Sequence, residues 1–164
     1  MENDNALLPR PNCLGSEKAL LGCLLLDPLF MDEVSGIVHP EDFAFGVHGI
    51  IFEAMKTIHK KHGWKFSLAF LRDELEQTDK LRAVGGIKYL ASLEQEVITT
   101  DTAPDHARRI KDAATLRALA DDCQKTHAEI LDGKDGTGKA LEPSEVIERA
   151  QRRLYAVTDR QTSG

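Results

Sequence analysis

Residues 103–132, APDHARRIKDAATLRALADDCQKTHAEILD, decide the fold. From Asp105 to Asp132 neither Pro nor Gly occurs, and Ala107, Ile110, Ala113, Ala114, Ala120, Cys123, Ile130 and Leu131 recur at helical spacing. A helix this long extends about 45 Å, more than a compact domain of this size uses internally, so it is expected to project. The polar loop GKDGTGKA, residues 133–140, then turns the chain. From Ser144 to about Thr158, Val146, Ile147, Ala150, Leu154 and Val157 form one stripe, which predicts a second helix antiparallel to the first. A two-helix hairpin has no second layer over its outer apolar groups. Either a partner helix covers them or the hairpin folds back on the rest of the chain.

Upstream, the signals are also helical. SEKALLGCLLLD (residues 16–27) leaves little polar face and reads as a buried core helix with Ser16 as its N-cap. Asp27-Pro28 opens a helix expected to run to His39, before Pro40. Residues 48–62 carry Ile51, Phe52, Met55 and Ile58 on one side and lysines opposite, with Gly63 as the stop. Ser67 to Thr78 and Ile87 to Glu96 complete a small helical set. The expectation is an all-α chain with a flexible arm over 1–15, a compact head over 16–98, a long antiparallel hairpin over 99–159, and the start of a linker or tail over 160–164.

Composition narrows function. Lys and Arg number 21 against 27 Asp and Glu, for a net charge of −6, which disfavours direct binding to the duplex backbone. The three cysteines, Cys13, Cys23 and Cys123, form no C-x-x-C pair and suit a reducing compartment. No apolar run approaches the roughly 20 residues of a membrane span, and no secretory signal is visible, so a cytoplasmic location is expected.

Read in order, SEKALLGCLLLD, PEDFAFGVHGIIFEAM (40–55), VGGIKYLASL (84–93) and ITTDTAPDHARRIKDAATLRAL (98–119) resemble consecutive stretches of the N-terminal domain of the DnaB family of bacterial replicative DNA helicases. The similarity runs from about Pro9 to Asp159. It implies an assembly domain whose hairpins pair between copies, as a dimer or a hexameric collar above a motor ring, and a docking site for the C-terminal domain of primase. A helicase loader is a further candidate partner, and DNA would be met only indirectly. The resemblance also implies that the ATPase domain, with its ATP and Mg, would lie beyond a linker after residue 164, so no cofactor is expected in these residues.

The residues expected to carry association are Ile130, Leu131, Val146, Ile147, Ala150, Leu154 and Tyr155. No catalytic or metal-binding residue is assigned. GKDGTGKA is one residue from a Walker A loop, yet Ala140 stands where a magnesium-binding hydroxyl is needed and the preceding segment reads as helix, so a solvated turn is expected. His59 and His62 read as a basic helix end rather than metal ligands. His48, near Phe43 and Phe45, reads as a satisfied structural histidine. Arg108, Arg109, Lys111 and Arg117 alternate with aspartates and read as a mixed-charge solvated face. Two alternatives are a complete motor-less relative that modulates helicase assembly and a small nucleotide-binding enzyme using the 133–140 loop.

Overall fold

The computed structural model describes residues 11–65 and 67–162. They form seven α-helices: α1 (Leu14–Leu26), α2 (Met31–Ile37), α3 (Gly46–His62), α4 (Leu68–Gln77), α5 (Gly86–Gln95), α6 (Ala103–Asp132) and α7 (Pro143–Thr162). Three short 3-10 turns occupy Pro28–Phe30, Pro40–Asp42 and Gly63–Lys65. Among the described residues the only extended pairing is an isolated bridge between Lys134 and Ala140. The all-α expectation therefore holds. Contacts group the described residues into two units, one over Asn12–Ala114 and one from Thr115 onward. The arm expected over 1–15 falls mostly on residues 1–10, outside the described residues.

The first unit is built on α1. Leu20, Leu21, Leu24, Met31, Ile51, Phe52, Met55, Ile58, Leu71, Leu75, Leu90 and Leu93 are its large fully buried side chains. Burial of a side chain of this kind stabilises by about 1.5–3 kcal/mol, which is the main support of the unit. Helix α1 packs against α5 at very short range. A Cβ on Gly22 would stand 2.2 Å from the Leu93 carbonyl oxygen and 2.6 Å from Val97 Cγ2, so only glycine fits there.

One polar constellation lies inside this core. Glu17 and His48 are buried, and their side chains meet at 2.6 Å through His48 Nδ1. The Glu17 carboxylate also accepts from the backbone amides of Ala44 at 2.7 Å and Phe45 at 3.4 Å, which fastens the turn before α3 onto α1. His48 Nε2 reaches the Tyr89 hydroxyl at 2.6 Å, and the two rings stack, linking α3 to α5. His48 is thus a satisfied structural histidine. Its partner Glu17 is a buried acidic residue that the sequence pattern did not reveal.

Local boundaries differ from expectation where caps were inferred. Ser16 is buried inside α1 and is not its N-cap; Cys13 takes that position, its carbonyl accepting from Glu17 N, because the helix gains three residues upstream. Asp27 does cap, its side chain accepting from Leu29 N, but Pro28 starts a 3-10 turn, and α2 ends at Ile37 because Val38 is already extended. Gly63, with φ +61, ends α3. Helix α6 has the expected bounds, with Pro104 in its first turn, where no helical amide bond is lost. Its opening residues Ala103, Pro104, Ala107, Ile110 and Ala113 are buried, and the first unit extends through Ala114.

Candidate functional site

The second unit is a helical hairpin. Arg153 lies opposite Glu129 and Thr126, and Arg149 lies opposite Glu129 and Asp135, so partners on α6 descend as α7 ascends and the two helices are antiparallel. The Arg153 guanidinium binds the Glu129 carboxylate through both terminal nitrogens, at 2.8 and 2.6 Å. Its hydrogen bond, with the neighbouring Arg149 charge, holds the Glu129 carboxyl below the usual glutamate range, and the same bond raises Arg153. Long charged side chains span the helix pair along this edge.

The turn is organised by Asp135. Its carboxylate accepts from the Thr137 hydroxyl at 2.6 Å, the Thr137 amide at 2.9 Å, the Lys139 amide at 3.0 Å and Arg149 at 3.3 Å. These bonds, with the Thr137 hydroxyl foremost, hold its carboxyl down at about 2. The amides of Asp135, Gly138 and Leu141 bond to carbonyls within the same turn. The Asp135 carboxylate thus takes up the Thr137 and Lys139 amides from within the loop itself. The sequence 133–140 closes a hairpin.

Because ionic pairs span one edge, the apolar side chains are left on an open groove. Leu119, Cys123, Ile130, Ala150 and Leu154 line a stretch of about 340 Å³, whose polar edge is Asp122, Thr126, His127 and Arg153. A second stretch of about 310 Å³ is lined by Ile130, Leu141, Pro143, Val146 and Ile147, with Glu129 and Gly133. Ile130 lines both stretches.

The seven residues expected to carry association fall as follows. Ile130, Ala150 and Leu154 meet in the first stretch, and Ile130, Val146 and Ile147 in the second. Leu131 and Tyr155 are exposed and line neither. Leu154 is 55% exposed. Val157, on the same sequence stripe, is buried instead. Sequence reasoning missed Leu119, Leu141 and Pro143; the Leu119, Cys123, Ile130 spacing of four and seven was the available signal. Cys123 is an exposed thiol at the groove.

The other singled-out groups lie in the first unit or in the early turns of α6. His59 Nε2 pairs with Asp32 at 2.8 Å, and His62 stacks on Phe70. No group of His, Cys, Asp or Glu among the described residues has a metal-binding arrangement. Arg108 pairs with Asp105, Lys111 with Asp42, and Arg117 donates to the Pro11 carbonyl. No helix among the described residues is long and apolar enough to cross a membrane.

Comparison with known proteins fits this architecture. Residues 10–112 match the model of the DnaB-like helicase N terminal domain family. The chain belongs to that family. The DnaB-type reading extends past the matched residues: the replicative DNA helicase DnaB of Geobacillus stearothermophilus is 30% identical over 154 residues, and that of Pasteurella multocida 26% over 153 residues. These alignments cover 94% and 93% of this chain, and the chain spans about a third of each relative, 32% in both cases. The solved N-terminal domain of DnaB helicase from Mycobacterium tuberculosis superposes with a TM-score of 0.80 at 26% identity, covering 90% of this chain and 99% of that one. A DnaB-like replicative helicase superposes at 0.68 with 22% identity, covering 88% of this chain and 31% of that one, a likeness of fold.

Proposed function

We propose that this chain is the N-terminal assembly and docking domain of a replicative DNA helicase, and that it works by burying the hairpin groove against a second copy of itself. The observation that carries the reading is the pair of open apolar stretches that share Ile130 on the hairpin, in a chain whose family and relatives are those of the DnaB helicase. Apolar helix faces left open in this way gain about 25 cal/mol per Å² when another helix covers them. The domain contributes no chemical step of its own; unwinding and ATP hydrolysis belong to a motor domain of the kind its relatives carry.

Primase is the second partner we assign. The support is the solved DnaB-like helicase of the same fold, whose structure was determined with its interactions with primase. A helicase loader is a further candidate for the same domain.

The test is sedimentation of the purified chain from micromolar to near-millimolar concentration, followed by titration with a primase C-terminal domain. A dimer or larger assembly, with a complex on adding primase, is expected. A chain that stays monomeric throughout and binds no primase defeats the proposal.

A further inference from the structure

Between Lys56 and Arg72 the sequence KTIHKKHGWKFSLAFLR holds five of the chain's 21 Lys and Arg and none of its 27 Asp and Glu, so a local positive surface sits on an acidic protein. The run covers the end of α3, the Gly63–Lys65 turn and the start of α4. Neighbouring acids neutralise part of it. Lys61 pairs with Glu74 at 2.7 Å, His59 with Asp32 at 2.8 Å and Arg72 with Asp73 at 2.6 Å. Among the described residues, Lys56, Lys60 and Lys65 have no carboxylate partner, and Lys60 and Lys65 are exposed.

Two aromatic surfaces lie among these cations. Trp64 is 61% exposed, with Lys65 Nζ at 5.5 Å from its ring centroid. Phe70 is 42% exposed and stacked with His62 at 4.8 Å between ring centroids and 21° between planes, and His62 is itself exposed. Neither aromatic is a core residue left slightly open. Each exposed ring offers a flat face with a cation or an imidazole beside it.

We infer that the Trp64 and His62–Phe70 surface of the first unit binds an unpaired polynucleotide strand, its bases stacking on these rings and its phosphates meeting Lys56, Lys60 and Lys65. Exposed planes interleaved with lysines are what a strand with free base faces requires. A duplex hides its base faces, and an acidic peptide would use the lysines but has no planar groups for the rings. The few unpaired cations set the scale: binding is weak and sequence-tolerant, and it coexists with the overall negative charge because the positive charge is local. The inference concerns the first unit and is independent of self-association through the hairpin.

Trp64 is the chain's only tryptophan, so its fluorescence reports the site directly. Oligo-dT should quench it saturably, as should oligo-U if the strand's sugar is immaterial. With about three phosphates neutralised, affinity should fall roughly twentyfold between 50 and 200 mM salt. In anisotropy with labelled oligo-dT, Trp64→Ala should weaken binding about tenfold. Trp64→Phe should retain most of it, and Lys60→Glu with Lys65→Glu should abolish it. All these positions are exposed, and circular dichroism checks that the helices persist. Leu154→Asp should leave oligonucleotide binding unchanged, which separates this result from any failure of the hairpin proposal. Absence of quenching at 50 mM salt overturns the inference. So does poly-glutamate binding as tightly as oligo-dT with no loss in Trp64→Ala, which would make the patch a surface for acidic proteins.

Discussion

Arg153 grips Glu129 with both arms of its guanidinium, at 2.8 and 2.6 Å, and this fork links α6 to α7. Both side chains are largely shielded from solvent, at 22% and 12% exposure. A lysine cannot reproduce two parallel bonds. Arg153→Lys should therefore weaken hairpin closure by on the order of 1 kcal/mol, and Arg153→Ala by more, because the remaining carboxylate keeps only Arg149. Faster amide hydrogen exchange over 119–154, with the first unit unaffected, is the expected signature. Equal protection in the variant would show that the turn alone closes the hairpin.

Acid should open the same hairpin. Asp135 is held at about 2 by its hydrogen bonds to Thr137, and Glu129 and Glu145 are also lowered. Each binds protons less readily when folded, so its contribution is complete above its ordinary unfolded value and is lost as pH falls through the folded one. For Asp135 that window runs from 3.8 down to about 2. Hairpin protection should be constant from pH 7 to about 5 and decline progressively below, and Asp135→Asn should remove the part of the decline nearest pH 2.

Inside the first unit, Glu17 should prove the costliest single polar residue to remove. Glu17→Ala leaves His48 and the amides of Ala44 and Phe45 without their acceptor in a buried site, and a loss of about 3–5 kcal/mol is expected. Glu17→Gln keeps one acceptor oxygen and should cost less. Chemical denaturation of the three chains gives the order wild type, Gln, Ala; a Glu17→Ala chain as stable as wild type would mean that water enters and replaces the carboxylate.

Gly22 offers a steric test of the same core. Its place against the Leu93 carbonyl leaves no room for a methyl group, and the colliding atom is backbone rather than a side-chain tip that could swing away. Gly22→Ala should destabilise the unit by about 1–3 kcal/mol through separation of α1 from α5, although alanine favours an isolated helix. A higher melting temperature in the variant would contradict this packing.

The residues that could be read in advance are those whose effect is local. Helix α6 was legible end to end because nothing between Asp105 and Asp132 breaks a helix. Gly63 announced the end of α3 through the backbone freedom it supplies at φ +61. Glu17 was hidden, since an acid in a first helical turn normally faces solvent and its role depends on a loop 27 residues away. Ser16 misled for the same reason in reverse: a serine before an apolar run signals a cap, but tertiary burial carried the helix past it. The groove was half legible. The α7 stripe gave Ala150 and Leu154, whereas Leu119 and the burial of Val157 depend on how the ionic pairs set the two helices.

The association surface is tested most directly at Leu154. It is 55% exposed and lines the groove with Ile130 and Ala150, so covering it with another helix would remove a leucine from water at both copies of a symmetric contact. Leu154→Asp puts a carboxylate there, and an unpaired ion in a desolvated contact is expensive. Its energy should be enough to shift association by two orders of magnitude or about 3 kcal/mol. In the isolated hairpin the same aspartate remains in water, so helicity and the stability of the first unit should be unchanged. Sedimentation velocity and circular dichroism on wild type and variant check both halves. An oligomer that survives intact would move the interface off this groove, toward the exposed Leu131 and Tyr155, and loss of helicity throughout would mean that Leu154 supports the fold.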